Sequence, residues 1–316
     1  MGDAESQAIL GDMLLSGVGI SKDTAEAVKW LTKAARQGHA HAQVNLGVSY
    51  SIGDGLPQDK VKACGLFRLA ARQGDADGIF NLGLCYFNGE GLAKDHVRAH
   101  RLFAVAAKQG HTRAQNELGV MLCSGDGAPR DMGKGFRLLS LAAGKGDVTA
   151  QHNVGVLYLS GSEGVPQDPA KAAGFFRDAA RQGHAAAQHA LALMLLKGNG
   201  VPKDEAEGLR LLQLSADQGL PEAQFSLGKR YLNKELGLLM TLMGKEAPKD
   251  EAEALGPLQP PAGQGLPEAQ RNLDKKCLRK GPDLGEALKW LCLSAGQGNK
   301  DAITLLLKLD YAMRTL

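Results

Sequence analysis

Aromatic residues are scarce in this 316-residue chain, only 5% of the total, although apolar residues reach 44%. A core made of small side chains brings its elements close together, which suits thin stacked helices better than one large globular interior. Cysteine forms no visible scaffold. Cys64, Cys85, Cys123, Cys277 and Cys292 make an odd count at irregular spacing, whereas a disulfide framework sets matched pairs; reduced thiols are expected. No apolar run approaches the ~18 residues of a membrane span, and the longest candidate, Leu236 to Met243, is far too short. The start, MGDAESQAIL, has neither the basic residues nor the apolar stretch of a secretory signal. Charge is nearly balanced: 37 Lys and Arg against 34 Asp and Glu leave a formal +3. That is too little for the basic stripe a nucleic-acid partner needs. These absences point to a cytoplasmic or nuclear protein with no membrane span.

Glycine, by contrast, is abundant and periodic. Leu-Gly recurs at Leu10-Gly11, Leu46-Gly47, Leu82-Gly83 and Leu118-Gly119, a spacing of 36 each time, and returns at Leu227-Gly228. A second marker, mostly Gln-Gly, runs through Gly38, Gly74, Gly110, Gly146, Gly183, Gly219, Gly265 and Gly298. A fixed period of this size marks stacked supersecondary units. Within a unit, Ala42, Leu46 and Tyr50 share one face of a first (A) helix. A glycine-rich turn follows, and Asp59 caps a second (B) helix. The cap recurs at Asp23, Asp95, Asp131, Asp168, Asp204, Asp250 and Asp283. Seven residues past it stand Trp30, Leu66, Leu102, Leu138, Phe175, Leu211 and Trp290.

The unit A-x-x-x-L-G-x-x-Y-x-x-G-x-G-x-x-x-D, then K-A-x-x-x-F-x-x-A-A-x-Q-G, resembles the Sel1-like repeat, a relative of the tetratricopeptide repeat. The resemblance implies an all-α, right-handed superhelical solenoid of about eight helix-turn-helix units. They divide as 2–37, 38–73, 74–109, 110–145, 146–182, 183–218, an irregular 219–264, and 265–297, closed by a half-repeat at 298–316. It also implies a non-enzymatic scaffold or adaptor with no cofactor, binding a protein partner. Two alternatives come from relatives. One is a recruiting subunit in endoplasmic-reticulum-associated degradation beside a ubiquitin ligase, should a signal sequence precede this chain. The other is a hydrolase like the cysteine-rich repeat proteins, whose paired cysteines are missing here.

In tetratricopeptide-like arrays the A helices line the concave side and project three variable positions into it. Carried onto this chain, the candidate groove comprises Val44, Val48, Phe80, Leu84, Phe87, Val120, His152, Val156, His189, Leu193, Phe225, Lys229, Arg271 and Lys275. Its middle is apolar and its C-terminal end basic, which suits an amphipathic helix or an extended peptide with an acidic tail. The competing reading is that these side chains pack against adjacent A helices. No catalytic grouping stands out. His96 and His100 are four apart, but HVRAH lacks the glutamate of H-E-x-x-H and shows no third ligand, so no metal is expected. Finally, Pro257, Pro260 and Pro261 predict a broken second helix in the irregular seventh unit. The oligomeric state is left open.

Overall fold

The computed structural model describes residues 3–242 and 282–315. They form two compact units, Met1–Gln167 and Asp168–Leu316. Fifteen helices and no β-strand occur among the described residues. The first unit holds α1 (Ala4–Ser16), α2 (Thr24–Arg36), α3 (Ala40–Ile52), α4 (Lys60–Arg72), α5 (Ala76–Asn88), α6 (His96–Lys108), α7 (Thr112–Ser124), α8 (Met132–Gly144) and α9 (Val148–Ser160). The second holds α10 (Pro169–Arg181), α11 (Ala185–Lys197), α12 (Glu205–Asp217), α13 (Pro221–Leu242), α14 (Pro282–Gly296) and α15 (Lys300–Thr315). In the first unit the odd-numbered helices are A helices and the even-numbered ones B helices. In the second, α10, α12 and α14 are B helices.

Local chemistry sets the helix ends. Asp23, Asp59, Asp95, Asp131, Asp168 and Asp204 each accept a backbone N–H three residues on, so the cap expected from the sequence is present in α2, α4, α6, α8, α10 and α12. Asp250 lies outside the described residues. α14 opens at Pro282, so Asp283 falls inside its first turn. The A helices have caps of their own, and these alternate: Asp3, His39, Asp75, His111, Asp147, His184. In the histidine caps Nδ1 accepts the backbone N–H, at 3.2 Å for His39 and 3.0 Å for His111. Nε2 then reaches an acid of the preceding A helix, Glu5 at 2.8 Å and Asp77 at 3.0 Å.

The core anchor sits one residue beyond the aromatic and leucine column that the sequence draws out. Leu31, Phe67, Phe103, Leu139, Phe176, Leu212 and Leu291 are the deeply buried ones, while Trp30, Leu66, Leu102, Leu138 and Phe175 are only half-buried; Leu211 and Trp290 are buried beside their anchors. Each anchor in the first unit lies on the glycine of a Leu-Gly pair. A Cβ on Gly83 would stand 2.6 Å from the Phe103 ring, so any side chain there would expel it. Buried glutamines then stitch neighbouring helices. Gln43 donates to the Ala35 carbonyl at 3.2 Å, satisfying an end of α2, and accepts from Gln73 at 2.9 Å.

The same stitches identify the partner of α13. Between α11 and α12, Ser215 donates to Ala185 O and Gln218 to Gln188, each across 30 residues. Between α13 and α14, Ser294 donates to Pro221 O at 2.7 Å and Gln297 to Gln224 at 2.9 Å, each across 73 residues. Gly228 accordingly lies against Leu291. The B helix assigned by sequence to unit 265–297 is thus paired with the A helix of unit 219–264. Pro257, Pro260 and Pro261 lie outside the described residues.

One expectation is overturned. Cys64 of α4 and Cys85 of α5 form a disulfide, with Cα atoms 6.3 Å apart. Their spacing gives no hint of it, because the pairing arises between consecutive repeats rather than at matched points of each. Cys123 is a free thiol.

Candidate partner-binding face

In the first unit, an A helix that turns its Leu-Gly pair onto a B helix leaves the next residue pointing outward. That residue is Val48 on α3, Leu84 on α5 and Val120 on α7, and Val156 follows the matching Val154-Gly155 pair of α9. The three valines are 38%, 39% and 41% exposed and Leu84 is half-buried. They repeat in register, and α1 touches α3, α3 touches α5 and α7 touches α9. Water-exposed aliphatic side chains at one register are more than scattered surface residues. Asp12 holds this position on α1, where it binds His41 Nε2 at 3.0 Å and Asn45 Nδ2 at 2.5 Å.

A polar ladder runs three residues before the aliphatic line, through Asn45, Asn81, Glu117 and Asn153. Asn153 donates to Asn116 Oδ1 at 3.0 Å, tying α9 to α7. Asn116 in turn donates to Glu117 at 3.2 Å. Burial lifts the Glu117 carboxyl above the usual carboxylate range, against the pull of the Asn116 bond and Arg113.

The other groove candidates fall differently. Val44 and Phe80 are 5% and 2% exposed, because each is clamped between its own B helix and the next A helix: Val44 with Phe67 and Leu82, Phe80 with Phe103 and Leu118. Phe87 is half-buried and stacks on His96. His152 is half-buried on α9.

In the second unit a cleft of about 1110 Å³ opens among α11, α12 and α13. It brings Leu193, Phe225 and Lys229 together with Leu196, Leu209 and Tyr231, and the Glu205–Arg230 ion pair stands at its edge. His189 meets the Ser226 hydroxyl at 3.0 Å across α11 and α13. Burial pushes its imidazole below the ordinary value, with Glu222 acting in the opposite direction. Arg271 and Lys275 lie outside the described residues.

Two sets of working residues escape the sequence reading. The histidine caps are invisible to a search for Asp, Ser or Thr at helix starts. The glutamine pairs leave only a partial signal, a Gln near most A-helix starts and another before most closing glycines, with nothing to say that the two bond. Among the described residues, no three His, Cys, Asp or Glu side chains converge on a metal-sized site, and no helix is long and apolar enough to cross a membrane.

Comparison with known proteins fits this geometry. The Sel1 repeat family model matches residues 4–39, 40–75, 76–111, 112–147, 148–184, 185–220, 221–256 and 276–299. No curated protein matches the chain. Among solved structures, a Sel1 repeat protein from Oxalobacter formigenes is similar over 67% of this chain and 85% of its own, at 29% identity and a TM-score of 0.63. The protective antigen c5321 of uropathogenic Escherichia coli, which displays the SLR fold, is similar over 95% of this chain, at 30% identity and a TM-score of 0.60. The chain spans 62% of that protein's length. Sel1 repeat proteins are typically non-enzymatic scaffolds, and the fold generally mediates protein–protein interaction. With eight matched repeats covering most of its length, the chain is an all-α solenoid that belongs to the Sel1 repeat family.

Proposed function

We propose that the protein is an adaptor that binds an amphipathic helix or extended peptide of a partner along its A helices. The observation that carries this reading is the exposed line Val48, Leu84, Val120 and Val156, one aliphatic side chain per repeat beside a polar ladder. A partner laying an apolar stripe on the line removes those side chains from water, each stabilising the complex by up to ~1.5 kcal/mol. The ladder supplies donors and acceptors that fix register. The cleft lined by Leu193, Phe225 and Lys229 offers a separate apolar pocket with a cation beside it.

Affinity capture with mass spectrometry tests the reading, comparing the parent with a Val48→Glu, Val120→Glu, Val156→Glu variant. These positions are exposed, so the variant keeps its helical circular dichroism. A protein bound by the parent and lost by the variant supports the reading. Identical captures sink it.

One observation favours a second reading, a recruiting subunit of endoplasmic-reticulum-associated degradation: the Cys64–Cys85 bond suits an oxidising compartment. Ubiquitin-ligase subunits among the captured proteins would support that version, and exclusively cytosolic partners would refute it.

A further inference from the structure

Helix α6 carries His96 and His100 one turn apart, and Nε2 of each is buried without a hydrogen-bond partner among the described residues. A buried imidazole nitrogen in that state is costly, and two on one helix face call for a common cause. His96 is held from behind. Its Nδ1 pairs with Asp126, and its ring stacks on Phe87 with centroids 4.8 Å apart. A carboxylate on Nδ1–H leaves the Nε2 lone pair ready for a ligand, the arrangement that orients histidines at metal centres.

The repeat supplies a third donor. One repeat earlier, the places of His96, His100 and Asp126 are taken by Lys60, Cys64 and Glu90, and Lys60 pairs with Glu90 as His96 does with Asp126. There Cys64 meets Cys85 of α5 sulfur to sulfur. The residue in the place of Cys85 is Met121 of α7. Met121 is 2% exposed and shares a core cluster with Ala99 and Phe103 of α6. A Cβ on Gly127 would lie 2.7 Å from the His96 carbonyl carbon and 3.0 Å from Met121 Cε, which sets the Met121 methyl near the backbone of His96, at the seam of α6 and α7.

We propose that His96, His100 and Met121 bind copper(I) between α6 and α7. A thioether selects a soft ion, whereas magnesium and calcium call for oxygen donors. The buried site also favours a single positive charge, which Asp126 behind His96 offsets; zinc would bring a second one with no anionic ligand in the set.

The test is anaerobic competition of the full chain for copper(I) against bicinchoninate, a coloured copper(I) chelator. Thiols elsewhere bind copper too, so the readout is the difference between proteins. The parent should hold one equivalent more than His100→Leu and one more than Met121→Leu, both checked for cooperative melting. Met121→Leu conserves core volume and so keeps the fold. Asp126→Asn should retain the equivalent with affinity about 10- to 100-fold weaker. Equal stoichiometry in all proteins overturns the site. Zinc(II) bound as tightly as copper(I), and unaffected by Met121→Leu, overturns the thioether as a ligand.

Discussion

Replacing Gly91 with alanine should destabilise the protein far more than the same change at Gly19, although the two occupy equivalent loop positions with φ of 71° and 77°. Both substitutions force a side chain into the left-handed region, a shared cost of about 1–2 kcal/mol. At Gly91 the new Cβ would also come within 2.5 Å of the Lys60 carbonyl carbon and 2.9 Å of Cys64 Sγ, because this loop rests on the first turn of α4. Backbone there cannot step aside without displacing α4, so overpacking adds roughly 1–3 kcal/mol. At Gly19 the Cβ meets only the Met13 methyl, at 3.3 Å, the movable end of a flexible chain. The totals are therefore about 2–5 kcal/mol against about 1–2 kcal/mol. Urea unfolding followed by circular dichroism reads the difference as midpoint shifts at a constant slope. Equal shifts for the two variants would show that the loops do not bear on the preceding repeat.

Other outcomes follow from the same packing. Phe103→Ala should cost about 3–5 kcal/mol and Leu102→Ala clearly less, since only the former fills the space over Gly83; thermal melts would rank them. A double-mutant cycle on Gln224→Ala and Gln297→Ala should return a coupling of about 0.5–1.5 kcal/mol, and none if α14 does not pair with α13. Burial holds the His184 and His189 imidazoles below their ordinary value, so the neutral forms belong to the fold. Their contribution is complete above the unfolded value near 6.5 and is lost as pH falls through the depressed one. Urea titrations at descending pH should thus show a stability loss that His184→Asn, a neutral cap, reduces. Reducing the Cys64–Cys85 bond, which closes a 21-residue separation, should lower stability by about 3 kcal/mol. Thiol titration of the denatured chain should find two more thiols once this bond is reduced.

Period and caps were readable because they are local. A glycine that ends a helix, an aspartate that starts one and a 36-residue spacing leave their mark on neighbouring residues, so twelve helices fall where the pattern sets them. What depends on contacts between repeats was less legible. Val44 and Val48 lie one turn apart and look alike in sequence, yet α5 covers the first and leaves the second in water. Cys64 and Cys85 carry no shared motif and meet only because α4 packs on α5. The seventh unit shows the limit most clearly. Sequence assigned α13 and α14 to different units, while the Gln224–Gln297 bond joins them as Gln188–Gln218 joins α11 to α12.

The alternation of aspartate and histidine caps gives the array a grammar coarser than its repeat. Two of the three histidine caps also reach an acid on the A helix before them, His39 to Glu5 and His111 to Asp77, whereas α9, before His184, carries no acid. Around those two, adjacent repeats are not interchangeable words but halves of a couplet. Removing the repeat of α5 and α6 would set His111 against His41 in the place of Asp77, whereas removing α3 to α6 would set it against Glu5.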